Sequence, residues 1–379
     1  MNQIKRKITN LKLNTKIIIA IFLLTTIVNI ISILSNGFAD FYRNNIFPYI
    51  SNCLSHITNL YKYSLGEILI CLGIVALLIG IVILILSAIR VKSVKNIRKY
   101  YFIFVIYCLL YIYVTETFNC FIMYRADTIE ESMFNDNQIQ TSEEKDIEKL
   151  LEVYNDVVDN INKLYENVKR DENNELIEDF TIEECKEAMR NVSVDFPLLE
   201  GYYPNPKKIY YSNIMTQQYL QGIYFPFSME ANYNKLMYPS NLPSTICHEF
   251  SHLKGYIRED EANFISYVAC TKSDNNFIKY SGYLSVYYYL LNDIMDYGNE
   301  DIWQRMNPIY SEAIDDNIFV KSEIFDEIED DSIISTETMS NATDKFLDTN
   351  LKMNGIKSGM NNYNEVVKLL ILYHFSAWR

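Results

Sequence analysis

The sequence has few cysteines, and no two of them stand at CxxC spacing. Of the seven cysteines in 379 residues, only Cys185, Cys247 and Cys270 follow residue 125. The odd count and the sparse placement argue against a disulfide framework. Cys247 directly precedes His248, but a helix turns about 100° per residue, so the thiol should point away from that imidazole. We therefore expect Cys247 to be a small buried side chain and not a metal ligand.

Charge is almost absent from three long stretches near the N-terminus. Residues 17–37 and 68–89 have no charged side chain, and residues 100–123 are interrupted only by Glu116. Each stretch is about as long as the ~20 residues that a membrane-spanning helix needs. We expect transmembrane helices over about 17–37, 67–89 and 100–123, which together form a membrane domain of residues 1–125. Glu116 is expected near the outer interface, where the third helix ends.

Acidic residues are scarce before residue 125 and dominate after it. Residues 1–125 contain 13 Lys/Arg and 3 Asp/Glu, whereas residues 126–379 contain 21 Lys/Arg and 45 Asp/Glu. An acidic region of this size repels phosphates, which excludes nucleic acid as a partner. Residues 126–379 are therefore predicted to form a separate soluble domain outside the bilayer.

The distribution of basic residues predicts the orientation in the membrane. The loop between the first two stretches has only two basic residues, Arg43 and Lys62. A cluster of five basic residues precedes the first stretch, and a second cluster of five lies between the second and the third. The positive-inside rule then places the N-terminus in the cytoplasm and residues 126–379 outside it, in a multi-pass protein of the cell membrane. Alternatively, the first stretch is a signal peptide cleaved after Ala39, although its apolar core exceeds the usual length. The clusters comprise Lys5, Arg6, Lys7, Lys12 and Lys16, and Arg90, Lys92, Lys95, Arg98 and Lys99.

Two of the four histidines belong to one short motif, His-Glu-Phe-Ser-His at 248–252. Residues i and i+4 lie on one face of a helix, so His248 and His252 can bind the same ion. A zinc ion held by two imidazoles needs a further ligand, which a carboxylate soon after the second histidine can supply. Glu249 stands where it can take a proton from a water that the metal activates. The motif predicts a Zn²⁺ site with Glu249 as the general base.

The third ligand is expected among the acidic residues 259–261. On a helix that starts near residue 258, Glu259 shares a face with three small residues, which allow close approach to the histidine helix. The face of Glu261 carries large apolar residues typical of a core. These patterns favour Glu259, with Glu261 next. Arg258 occupies the position of the third histidine in an HExxHxxGxxH motif and cannot bind a metal.

Beyond residue 125 the patterns predict a mostly helical chain with a small sheet. Capping boxes formed by Thr141 with Glu144, and by Thr181 with Glu184, begin two amphipathic helices. Residues 208–212 and 222–234 are rich in aromatic and β-branched side chains, which predicts strands. Pro226 makes the second of these an edge strand, which could line the substrate path.

The motif itself lies on a helix predicted at 245–254, with Ser244 as its N-cap. Gly255 is expected to end this helix in a left-handed conformation. Four further helices are predicted at about 258–271, 278–297, 336–353 and 362–376.

The HExxH motif at 248–252, followed by Glu259, Ala262 and Asn263, resembles the gluzincin metallopeptidases. Their third ligand is the Glu of an ExxAD-type helix, so the resemblance gives Glu259 that role. It also implies a zincin-like α+β fold for residues 126–379. Asn263 stands where those enzymes usually have an Asp that supports a ligand histidine, and it can hydrogen-bond without charge.

Nearly the whole chain resembles an uncharacterised bacterial family of membrane proteins, domain of unknown function 3810. The resemblance implies three N-terminal spans and a peptidase-like outer domain, with no known substrate. It is carried by the segments Asp40–Arg43 through Ser64–Glu67, Gly222–Phe227, His248–Gly255, Arg258–Phe264 and Asn354–Gly355.

The sequence thus predicts a membrane-anchored zinc metallopeptidase that hydrolyses a peptide or protein substrate outside the cytoplasm. The alternative is a non-catalytic zinc-binding membrane sensor or scaffold. Glu249 favours the enzyme, because a purely structural site does not need it. Intramembrane proteolysis is disfavoured, because the motif follows the last span by more than 100 residues, so its site is expected in water.

Overall fold

The computed structural model describes residues 12–89, 91, 94–134, 147–357, 359 and 365–376. Within these ranges the chain is mostly helical and has one three-stranded sheet. A mostly α fold with a small sheet and three N-terminal apolar helices is therefore confirmed. The capping box of Thr141 and Glu144 and the basic residues at 5–7, 90 and 92 lie outside the described residues.

The three uncharged stretches form long helices. They are α1 (Leu13–Leu34), α4 (Leu65–Ala88) and α5 (Val94–Glu116), and each is long and apolar enough to cross a membrane. Most of their apolar side chains are exposed around the whole helix. A helix that is apolar on every side is stable only in apolar surroundings, such as lipid.

Two short helices, α2 (Asn36–Asn45) and α3 (Phe47–Thr58), connect α1 to α4. At its end α5 continues as a π-helical turn, Thr117–Phe121, and a 3-10 turn, Met123–Arg125. The π-helical turn contacts α1 and α3. The end of α1, the start of α4 and the end of α5 therefore lie on the same side of the apolar helices.

The remaining elements confirm most of the predicted helices. At the start of α8, Glu184 N donates to Thr181 Oγ1 at 3.2 Å and Thr181 N donates to Glu184 Oε2 at 2.6 Å, so this capping box is confirmed. The elements are α6 (Ile129–Met133), α7 (Ile147–Tyr165), α8 (Ile182–Asn191), β1 (Lys207–Ile209), α9 (Ser212–Gln217), β2 (Gly222–Phe225), β3 (Glu230–Asn234), α10 (Leu242–Leu253), α11 (Glu259–Thr271), α12 (Asn276–Tyr297), α13 (Glu300–Gln304), α14 (Ser311–Asp315), α15 (Ser322–Asp331), α16 (Thr336–Met353) and α17 (Val366–His374).

The sheet differs from the sequence prediction at its centre. The strand order is β1-β3-β2, with β1 parallel and β2 antiparallel to β3. The single extended segment predicted at 222–234 is therefore wrong, because it is a hairpin. Pro226 has no N–H to continue the ladder, and Met229 turns the chain with φ 54°. The predicted edge strand exists as β2, and both β2 and β3 pack on α10.

One hydrophobic core joins the segments on both sides of residue 125. Ala39, Tyr42 and Phe47 of α2 and α3 belong to the same buried cluster as α7, α10, α11 and α12. Ser51 Oγ in α3 also donates to the carbonyl of Leu253, at 2.6 Å. A division of the chain at residue 125 thus cuts through a shared core, and α2 and α3 pack with the C-terminal part.

The first turn of α4 is held by a buried carboxylate from the sheet. Glu230 Oε1 and Oε2 accept hydrogen bonds from Leu65 N at 3.1 Å and Gly66 N at 2.7 Å. The same carboxylate forms an ion pair with Lys207, and both side chains are at most 5% exposed. An anion at a helix N-terminus satisfies free N–H groups and interacts favourably with the helix dipole. Glu67 extends the link by accepting from Tyr210 N and Tyr211 N.

Replacing the buried carboxylate should destabilise the fold. In Glu230→Gln, the ammonium of Lys207 stays buried without a counter-charge, which should lower the free energy of unfolding by about 3–5 kcal/mol. The matched control is Glu175→Gln, whose exposed pair with Lys321 should contribute less than about 1 kcal/mol. Thermal unfolding of the full chain in detergent measures both variants. Equal melting temperatures would contradict the role given to Glu230.

Candidate metal centre

The motif lies on α10, which is buried on nearly all sides. Of its residues, only His248 is more than slightly exposed. The helix begins at Leu242, with Pro243 in its first turn, where a missing N–H costs nothing. Ser244 as N-cap is therefore wrong, because this residue already lies inside the helix. Gly255 follows the last turn with φ 95°, as predicted.

Small polar residues allow α11 to approach α10 closely. Ser266 Oγ in α11 donates to the carbonyl of Ser244 at 2.6 Å, and Ala262 is fully buried one turn away. Ser281 Oγ of α12 donates to Ser244 Oγ at 3.0 Å. The first turn of α11 is thereby placed beside the histidines of α10.

This packing brings His248, His252 and Glu259 together. Their ligand atoms all lie within 4.8 Å of one another. Glu259 Oε2 lies 3.1 Å from His248 Nε2 and 3.7 Å from His252 Nε2. A tetrahedral zinc ion with bonds of about 2.1 Å separates its ligand atoms by about 3.4 Å, so the spacing fits one such ion.

The other nitrogen of each ring has an acceptor that fixes its orientation. His252 Nδ1 lies 2.8 Å from the carbonyl oxygen of Tyr256, which can only accept, so Nδ1 carries the hydrogen. His248 Nδ1 lies 2.8 Å from Asn263 Oδ1. In the neutral rings both Nε2 lone pairs then point toward the Glu259 carboxylate. Zinc-binding histidines commonly show this arrangement, in which the outer nitrogen donates to an oxygen.

The charges around the cluster favour a bound cation. Burial lowers the pKa of His252 to about 4, against the opposing effect of Glu259, so this ring is neutral. Burial also disfavours the charged form of His248, but Glu259 outweighs it and the pKa of His248 is raised. A neutral His252 directs a lone pair at a carboxylate, and such an acceptor pair needs a proton or a metal ion between its members. The donor set of two imidazoles and one carboxylate suits zinc.

Glu249 lies next to the cluster and is buried, with 4% of its surface exposed. Burial raises the pKa of its carboxyl to about 8, and one of its oxygens, Oε2, has no hydrogen-bond partner within the described part of the chain. The carboxylate lies against Gly222 at the start of β2, where an added Cβ would be 2.3 Å from Glu249 Oε1. Only glycine leaves room for the carboxylate in this position.

The other residues weighed from the sequence lie elsewhere. Glu261 points away from the histidines and accepts from Ile129 N at 2.7 Å, and burial raises the pKa of its carboxyl to about 7. Cys247 is fully buried in the core, on the opposite side of α10, with its thiol near the carbonyl of Cys185. A histidine outside the motif, His56, stacks on Tyr202 and is not part of the described cluster.

Four residues near the site were not singled out from the sequence. Tyr256 contributes only its backbone carbonyl, and Gly222 contributes only its lack of a side chain. The ring of Tyr224 lies 5.9 Å from that of His252, between centroids. Tyr289 of α12 lies beside Asn263 and Glu259, and burial raises the pKa of its hydroxyl to about 12. Only the short spacing from His252 to Tyr256 could have been noticed in the sequence, since the others depend on tertiary packing.

The fold and site define a mostly helical protein with three apolar helices and a His-His-Glu cluster on two packed helices. Residues 42–371 match the model of a family described as a protein of unknown function (DUF3810), and the chain belongs to this family. No curated protein and no solved structure matches the chain. The family description names no metal and no activity.

Metal binding should depend on Glu259 and not on Glu261. Glu259→Gln removes the anionic ligand and should weaken zinc binding by at least about tenfold, because amides are poor zinc ligands. Glu261→Gln, two residues along the same helix, should keep the affinity of the unmodified chain. Competition with a zinc chelator measures both. Equal zinc affinity in the two variants would show that Glu259 is not a ligand.

Proposed function

We propose that the protein is a zinc metallopeptidase that hydrolyses peptide bonds. The observation that carries this proposal is the position of Glu249, a buried carboxylate beside a cluster that offers three ligand atoms to one ion. A structural zinc site is usually closed by four protein ligands and needs no adjacent base. A zinc ion held by these three residues would keep a further position for water or substrate.

The arrangement of elements supports a zincin-like architecture. The motif helix α10 has the small sheet on one side and α11, which carries Glu259, on the other. This is the combination that the resemblance to gluzincins implies. Asn263 replaces the usual Asp and supports His248 through its side-chain oxygen.

The residues of the site have separate roles in the proposed hydrolysis. A bound Zn²⁺ would supply a Lewis acid that lowers the pKa of water and polarises the substrate carbonyl. Glu249 accepts a proton from the attacking water and passes it to the leaving amine. The hydroxyl of Tyr289, beside Asn263 and Glu259, is the candidate donor to the developing oxyanion. His248 and Glu259 keep 15% and 18% of their side-chain surface exposed, so the cluster is accessible.

The edge strand β2 supports a peptide as the substrate. Among the strands that the structure describes it pairs only with β3, and its first residue, Gly222, lies against Glu249. An extended peptide can add to a free strand edge through main-chain hydrogen bonds. Such a peptide would pass directly beside the proposed base.

The surroundings of the site support the proposed location. With α1, α4 and α5 in a membrane, the cluster lies on the side where α1 and α5 end. The excess of basic residues on the opposite side favours an extracytoplasmic site. The proposed substrates are therefore peptides or proteins outside the cytoplasm.

Glu249→Gln should abolish hydrolysis and leave the metal in place. The loss of a general base typically lowers the rate by about 10²–10⁴-fold, whereas the three ligands are unchanged. A peptide library incubated with the full chain in detergent gives the rate, and metal analysis gives the zinc content. Zinc in both proteins with cleavage by neither would reject the peptidase and favour a sensor or scaffold.

Gly222→Ala tests the position of the base independently. The new methyl group must displace the Glu249 carboxylate, and a shift of about 1 Å can cost about 10²-fold in rate. Zinc content should be unchanged, because the three proposed ligands are retained. The matched control is Gly37→Ala, whose new Cβ meets no atom of the described residues within 4 Å and should leave the rate unaffected. Full activity of Gly222→Ala would contradict the proposed position of the base.

A further inference from the structure

Strand β2 connects the site to the start of the second apolar helix, α4. Gly222, its first residue, lies against Glu249, and Phe225, its last, lies against Gly66 in the first turn of α4. A strand rises about 3.4 Å per residue, so the two contacts are about 10 Å apart along the strand, on its opposite faces. Measured along β2, the proposed base is therefore about 10 Å from the point where α4 begins.

The third apolar helix reaches the site from another direction. The hydroxyl of Tyr224 donates to the carbonyl of Asn119 at 2.9 Å, just beyond the end of α5, and its ring packs on His252. Asn119 Nδ2 donates to the carbonyl of Pro226 at 2.6 Å. Tyr111, two turns earlier in α5, donates to the carbonyl of Phe227. The turn between β2 and β3 thus lies alongside the last turns of α5, and a single ring separates His252 from Asn119.

Exposed tyrosines surround the start of α4 at the same level. Tyr61 and Tyr63 precede α4, and Tyr210 and Tyr211 are held to it through Glu67. All four are more than half exposed. Tyrosine is enriched where membrane helices leave the bilayer, because its ring is apolar and its hydroxyl is polar. These residues indicate that the lipid–water interface lies at the first turn of α4.

We propose that the site lies at the membrane surface and acts on polypeptides tethered to the same membrane, close to their anchors. This inference rests on the proposed peptidase function. A span of about 10 Å corresponds to about three extended residues. A segment that leaves the bilayer can therefore reach β2 within a few residues of its anchor. Confinement to the same membrane also raises the local concentration of the substrate.

The position of the site can be tested without any catalysis. Tyr211→Trp reports on the proposed interface, and Val194→Trp is the matched exposed control. Val194 precedes Asp195, which pairs with Lys272 just after the C-terminal end of α11. That end of α11 is about 18 Å from Glu259, which lies at the other end of the helix. Both variants carry Trp303→Phe and Trp378→Phe, and the full chain is reconstituted in vesicles of brominated phosphatidylcholine. Emission from Tyr211→Trp should be quenched at least twofold more strongly, and equal quenching would overturn the proposal.

The substrate class is tested with two reporters that share one mixed-sequence segment. One carries an apolar helix of about 20 residues as an anchor, and the other is free. The zinc-loaded full chain in vesicles should cleave the anchored reporter at least about tenfold faster, with cuts within about ten residues of the anchor. Inserting a flexible spacer should move the cuts along the reporter so that they stay near the anchor. Equal cleavage of both reporters would overturn the proposal of a membrane-tethered substrate but not the proposed peptidase function. Cleavage of neither reporter would reject both proposals.

Discussion

The buried carboxylate of Glu230 connects the apolar helices to the part of the chain that carries the candidate metal centre. It accepts from the first N–H groups of α4 and pairs with Lys207, so it satisfies a helix N-terminus and a buried ammonium together. Burying such groups is costly unless each is paired, and here they pair with one another. Glu230 is also the first residue of β3, the central strand of the sheet. It therefore holds the sheet and the start of α4 in a fixed position relative to each other.

The relation between sheet and helix in turn fixes the site. Strand β2 hydrogen-bonds to β3 and contacts Glu249 through Gly222, while α10 packs beneath both strands. On the other side of α10, serine hydroxyls hold α11 and α12 at short distance, which places Glu259. The apolar helices are therefore part of the scaffold of the candidate centre. An anchor on a flexible linker would not constrain the site in this way.

The parts of the structure that depend on local chemistry could be predicted from the sequence. The spacing of His248 and His252, the capping box of Thr181 and the left-handed Gly255 each depend on residues within one or two turns. Glu259 could be preferred to Glu261 because helical periodicity separates a small face from an apolar one.

Contacts between distant segments could not be predicted in this way. Residues 222–234 are β-formers throughout, and the turn within them becomes apparent only when β2 pairs with β3. The role of Gly222 depends on a glutamate 27 positions later, and no pattern within the strand reveals it. Sequence separation was a poor guide to distance, because more than 100 residues separate Asn119 from His252, whereas one tyrosine ring separates them in space.

The neutral side chain of Asn263 gains a physical explanation from the burial of Glu249. With a divalent cation bound, the charges of Glu259 and an ionised Glu249 bring the site to neutrality. An aspartate at position 263 would add a further negative charge to this buried region, and like charges favour protonation of a carboxyl. Burial already raises the pKa of the Glu249 carboxyl to about 8, and a further anion nearby would raise it again. Asn263 orients His248 through its oxygen and avoids this cost.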